Sequence, residues 1–178
     1  MPDQIVTEYH EEEPTVVDGH LVSDVQRDLL RLYVVERHRA SGNIGRGLVK
    51  GFGLQRGAIA SSIGHDSHNI IAVGVQDRDI LKAVTTINKM GGGIAVVDDG
   101  LVLESIELPI AGLMSNKPLE FVSAKTRDLV SSCQSLGVPL ADPLMTLSFL
   151  ALPVIPRLKL TDRGLVDVEK FVHVDLFL

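Results

Sequence analysis

Cysteine is nearly missing from this chain: Cys133 is the only one in 178 residues. A lone thiol excludes an internal disulfide and a thiolate-rich zinc site, and it suits a reducing cytoplasm. Basic charge is also short. Seventeen Lys and Arg against 23 Asp and Glu leave a formal charge of −6. Without a broad positive field, neither a nucleic acid nor an anionic membrane surface is an expected partner. The apolar run from Leu144 to Ile155 is interrupted at Pro153 and is too short to span a bilayer. The opening Met1-Pro2-Asp3-Gln4 has no basic region followed by an apolar stretch, so no signal peptide is expected. There is no internal repeat and no low-complexity tract.

Several catalytic signatures are missing too. Ser61 and Ser62 lie outside any Gly-x-Ser-x-Gly elbow. Gly45-Arg46-Gly47 has its next glycine at Gly51, which misses the dinucleotide fingerprint, and no Gly-Lys-Ser/Thr ending follows. The glycines are therefore read as steric, permitting close backbone approach and unusual dihedrals. His-x-Glu with Pro-Cys-x-x-Cys, the cytidine-deaminase zinc signature, does not occur.

What is present is an ordinary globular composition, 45% hydrophobic and 22% charged. The length suits one domain, read as residues 28–178, with residues 1–27 as a leading segment or connection. Ile5 to Tyr9 reads as a strand, and Glu11-Glu12-Glu13-Pro14 as a solvated connection. Asp28 to Arg37 reads as a strand with Leu30, Leu32 and Val34 on one side and Arg31, Tyr33 and Val35 on the other. Leu48-Val49-Lys50 reads as a short helical turn. A hairpin is expected from Gly57 to Gly74. A helix should run from Asp77, its N-cap, to Met90 with Ile80, Leu81, Val84 and Ile87 on its apolar stripe. A second hairpin should turn at Asp98-Asp99-Gly100. A helix from about Asn116 to Leu136, a short buried helix over Pro143 to Leu152, and strands around Asp162-Arg163-Gly164 complete the pattern, with Phe171 to Val174 the strongest strand candidate there. The expected class is α+β, with a mixed, largely antiparallel sheet and flanking helices.

The densest polar cluster is the tip of the first hairpin, His65-Asp66-Ser67-His68-Asn69. Imidazoles titrate near neutrality, and a carboxylate can orient an imidazole or act as a base. The same residues also suit a plain solvated turn. Two histidines and one carboxylate make a weak metal signal, and no metal ligand is assigned on this chain.

Long blocks carry a more specific signal. Ser41-Gly42-Asn43-Ile44-Gly45-Arg46-Gly47-Leu48-Val49-Lys50-Gly51-Phe52-Gly53-Leu54 and Arg56 through Ile71, which includes Gly64-His65-Asp66-Ser67-His68-Asn69, resemble the C-terminal domain of adenine deaminases. So do Leu108-Pro109-Ile110-Ala111-Gly112-Leu113-Met114-Ser115, Met145 through Pro156, and Leu158-Lys159-Leu160-Thr161-Asp162-Arg163-Gly164-Leu165. The resemblance implies a cytoplasmic amidohydrolase converting adenine and water to hypoxanthine and ammonia. A divalent metal, manganese or iron, would activate that water in a separate catalytic barrel. The barrel's His-x-His motif has no counterpart here, so the implied partner is the barrel itself. On this reading His65, Asp66 and His68 are the catalytic candidates, contacting substrate or metal-bound water. Ser67 and Asn69, the substrate-binding candidates, hold the turn. The alternative is a structural or homo-oligomerisation module without a direct role in the chemistry.

Overall fold

The computed structural model describes residues 4–177. In chain order its elements are β1 (Val16–Val17), β2 (His20–Leu21), β3 (Leu29–Val35), β4 (Ile44–Lys50), β5 (Ala58–Ser61), β6 (Ile70–Gly74), α1 (Asp77–Lys89), β7 (Gly93–Asp98), β8 (Leu101–Glu107), α2 (Leu119–Ser135), α3 (Pro143–Phe149), β9 (Leu158–Thr161), β10 (Gly164–Asp167) and β11 (Val172–Val174). Six strands form the central sheet in the order β4-β3-β6-β5-β7-β8, with every pairing antiparallel. The α+β expectation holds, and this sheet is more uniform than "mixed" implies.

Strand alternation divides the core in two. Leu30, Leu32 and Val34 of β3 join Ile59, Ile71, Val73 and Val96 on one face, where Leu129 and Cys133 of α2 and Leu147 of α3 cover them. Burial pushes the Cys133 thiol up to about 12, so it behaves as a small apolar side chain. The opposite face is lined by small residues. Ala60 pairs with both Ala72 and Ala95 across three strands, and α1 packs on this floor through Ile80, Ala83 and Ile87. Alanine at these positions allows the helix to lie close to the sheet.

The Asp98-Asp99-Gly100 turn forms as expected, with Asp99 and Gly100 both left-handed (φ 50° and 76°). The buried carboxylate of Asp79 accepts the Gly100 N–H at 2.7 Å, fastening this hairpin to the first turn of α1. Among the described residues, no helix is long and apolar enough to cross a membrane.

Other local expectations are corrected. Leu48-Val49-Lys50 belongs to β4 and not to a helical turn, because the whole stretch from Ile44 pairs with β3. Gln76 is the N-cap of α1, which places Asp77 inside its first turn, where a carboxylate still faces the helix dipole favourably. Leu81 is exposed, and Ala83 takes its place on the buried stripe. Val172–Val174 is a strand, but an exposed edge strand, and Phe171 before it is 81% exposed.

Ile5 to Tyr9 forms no strand. It is an extended strap held by two backbone bonds, Thr7 N–H to the Pro156 carbonyl (3.0 Å) and Arg157 N–H to the Thr7 carbonyl (2.9 Å). The acidic stretch after it is only partly solvated, because Glu12 pairs with Lys50 and Arg27.

The glycine-rich stretch has the steric role expected of it. β9, β10 and β11 form a separate antiparallel sheet that lies across β4. A Cβ on Gly45 would stand 1.7 Å from the Thr161 carbonyl oxygen. The two sheets therefore meet backbone to backbone at this point.

Candidate functional site

The hairpin β5–β6 carries the polar tip to the end of the sheet where β3 finishes and β7 begins. The tip is not a free turn. The His65 N–H donates to the Ser148 carbonyl at 3.3 Å, and its ring lies 4.8 Å from Phe149 between centroids. The His68 N–H donates to the Gly64 carbonyl at 2.6 Å, closing the loop on itself. The two imidazoles lie 5.9 Å apart between centroids, both half-buried. Asp66 and Ser67 stand exposed between them, and Asn69 is buried at the base.

Two polar atoms of this tip are buried without a hydrogen-bond partner, His68 Nδ1 and Asn69 Oδ1. Leaving a buried polar atom unpaired costs about 1–3 kcal/mol, so such atoms are uncommon and mark places of interest. His68 also adopts a left-handed backbone (φ 50°), unusual for a residue with a full side chain. Burial, reinforced by the nearby His65 and Arg37, holds the His68 imidazole below its ordinary pKa, with Asp66 opposing. Near pH 7 its neutral form therefore predominates.

Sequence reading brought His65, Asp66, Ser67, His68 and Asn69 together correctly as one loop but missed what surrounds it. Arg37 donates through Nε to the His68 carbonyl (2.6 Å) and through Nη2 to the Ala111 carbonyl (2.7 Å). The ring of His38 bonds the Ser67 carbonyl through Nε2 at 2.8 Å. The signal for both lay in strand register. Val35 pairs with Ile70, so the residues after β3 must lie beside those before β6.

A metal does not fit this tip. Among the described residues, no group of three or more His, Cys, Asp or Glu side chains is placed to hold an ion. Two imidazoles and a carboxylate are residue types that can ligate a metal, but here the rings lie 5.9 Å apart between centroids, Asp66 stands exposed, and the three are not gathered around one point.

The family model for the adenine deaminase C-terminal domain matches residues 4–172. The chain belongs to that family. It is 54% identical over 177 residues to an adenine deaminase of Methanothrix thermoacetophila, which covers 99% of this chain and 31% of that protein. An adenine deaminase of Desulfatibacillum aliphaticivorans is 52% identical over 177 residues, with the same shares covered. One of Brucella melitensis is 49% identical over 174 residues, covering 98% of this chain and 30% of the relative. The chain thus spans about a third of the length of the adenine deaminases it matches. As an adenine deaminase C-terminal domain, it presents its polar tip on a rigid two-stranded support.

A cavity of 1190 Å³ lies elsewhere, between the strap and the β9–β11 sheet. Lys159 lines it, only 1% exposed, and donates to the Ile5 carbonyl at 2.7 Å. Burial pushes its ammonium down to about 8 from the ordinary 10.5. At this group the unfolded chain then holds more protons than the folded one between those values, so the contribution of Lys159 to stability rises with pH across that window and is flat below it. We expect a gain on the order of 2 kcal/mol from pH 8 to 10.5, read by urea denaturation, which disappears in Lys159→Met. An identical pH profile in the two proteins would refute the assignment.

Proposed function

We propose that this domain covers or completes the substrate site of a metal-dependent adenine deaminase whose catalytic barrel lies outside these residues. The whole reaction is hydrolytic: water adds at C6 of adenine, ammonia leaves, and hypoxanthine is formed. A divalent metal in the barrel, manganese or iron, would lower the pKa of that water. Residues 28–178 form the domain proper on this reading, and residues 1–27 lead into it. Such an amidohydrolase would serve purine salvage in the cytoplasm.

The observation that carries the proposal is the tip itself, a half-buried loop with two unpaired buried polar atoms, fixed to a strand hairpin. A cover excludes water and positions substrate, and a loop on a rigid support suits that work. His65, Asp66 and His68 would face the substrate or the metal-bound water. Neutral His68 is suited to accept a proton. Ser67 and Asn69, the substrate-binding candidates, would hold the turn, Ser67 exposed at the tip and Asn69 buried at its base. The purified chain, supplied with adenine and manganese, should release no hypoxanthine. Metal-dependent turnover by the chain alone would place the chemistry within these residues and overturn the cover.

A further inference from the structure

The segment after β3 holds the tip in a way that its own sequence does not require. Arg37 and His38 are consecutive, and so are the two carbonyls they take, those of His68 and Ser67. The segment is itself fixed. One oxygen of the Glu36 carboxylate accepts the backbone N–H groups of His38 (2.5 Å) and Arg39 (2.8 Å), and the other accepts that of Ser41 (3.0 Å). These bonds, the Ser41 N–H foremost, bring Glu36 down to about 2, so the anchor stays ionised throughout the physiological range.

On its far side Arg37 reaches a second irregular loop. Ala111 and Gly112 are both left-handed (φ 57° and 73°), and a Cβ on Gly112 would lie 2.6 Å from Arg37 Nη2. The guanidinium thus lies directly against the Gly112 backbone. That loop is tied down in turn, because the buried Ser62 hydroxyl lies 2.6 Å from the Gly112 carbonyl, to which it donates. Left-handed residues with side chains cost on the order of 1 kcal/mol each and persist where their surroundings over-determine them. At His68 and Ala111 one guanidinium supplies that constraint to both.

We infer that Arg37, with His38 beside it, is a positioning residue that fixes the His68 imidazole for the tip's role at the substrate site. The inference rests on the cover reading. Arg37 acts through the His68 backbone and does not itself meet substrate. Its planar fork serves two carbonyls that diverge to different loops, a geometry that a lysine ammonium reproduces poorly.

The test uses Arg37→Ala and Arg37→Lys, together with His68→Ala, in the full-length enzyme that carries this domain. Hydrogen exchange at the His68 amide should quicken about tenfold in Arg37→Ala and less in Arg37→Lys, while β5 and β6 amides keep their protection. A misplaced imidazole should lower kcat by about a hundredfold with little change in KM. If Arg37→Ala unfolds the protein, Arg37→Lys carries the same comparison. Wild-type tip exchange in both Arg37 variants overturns the clamp. A loosened tip with undiminished kcat, when His68→Ala is impaired, overturns the positioning role alone. Undiminished kcat in His68→Ala removes His68 from the cover reading and overturns the positioning role with it, and wild-type kinetics in His65→Ala and Asp66→Ala as well overturn the cover itself.

Discussion

Gly45→Ala should cost about 3 kcal/mol of stability and lower Tm by roughly 10 °C, the effect of one added methyl group. The new Cβ would stand 1.7 Å from the Thr161 carbonyl oxygen and 2.9 Å from its carbon. Both are backbone atoms of β9, so no side chain can rotate away, and the β9–β11 sheet must lift from β4. Gly47, two residues along the same strand, provides the comparison. Its nearest neighbours are Leu160 and Leu165 methyl groups, starting at 3.4 Å, which is ordinary contact with flexible side chains. Gly47→Ala should therefore change stability by less than about 1 kcal/mol. Equal losses in the two variants, by thermal or urea denaturation, would show that β4 requires glycine for a reason other than this approach.

The second large effect concerns turnover. If the domain covers the substrate site as proposed, His68→Ala in an adenine deaminase that carries it should lower kcat/KM by about a hundredfold, the usual scale for losing a positioned acid or base. Alanine, however, also tolerates the left-handed backbone at this position poorly. His68→Asn separates the two causes, since asparagine adopts that conformation readily yet carries no imidazole. Loss of activity in both variants assigns the effect to the ring. Recovery in His68→Asn would assign it to the backbone. His65→Ala and Asp66→Ala should each impair turnover too, and wild-type kinetics from all three alanine variants would end the case for a cover.

The alternation of Leu30, Leu32 and Val34 in β3 was legible because a strand buried on two different faces writes both into its sequence. The helix α2 and its stop at Gly137 were legible for a similarly local reason, a left-handed glycine (φ 100°) closing an apolar stripe. β4 was not. Its glycines look like loop residues until β9 and β10 lie against them, Thr161 on Gly45 and Leu160 and Leu165 on Gly47, contacts that join positions more than a hundred residues apart. The strap at Ile5 to Tyr9 misled for the opposite reason, since its composition suits a strand but only Thr7 finds ladder-like partners.

The candidate site divides along the same line. His65 to Asn69 were visible as a polar run between two apolar strands. Arg37, His38 and Phe149 were invisible as neighbours, because only the pairing of Val35 with Ile70 and the docking of α3 bring them to the tip.

The strap has a consequence for how this protein is made. Thr7 bonds to Pro156, Arg157 and Leu158, and Ile5 to Lys159, across some 150 residues of chain. Contacts so distant in sequence form late, because a long loop must close before they return any stability. On a ribosome, these hydrogen bonds of residues 5–7 cannot form until residues 156–159 have left the exit tunnel. The central sheet, whose last strand ends at Glu107, is complete well before then. The strap is thus among the final pieces to be secured during synthesis, and a nascent chain stalled before Leu158 would carry it loose.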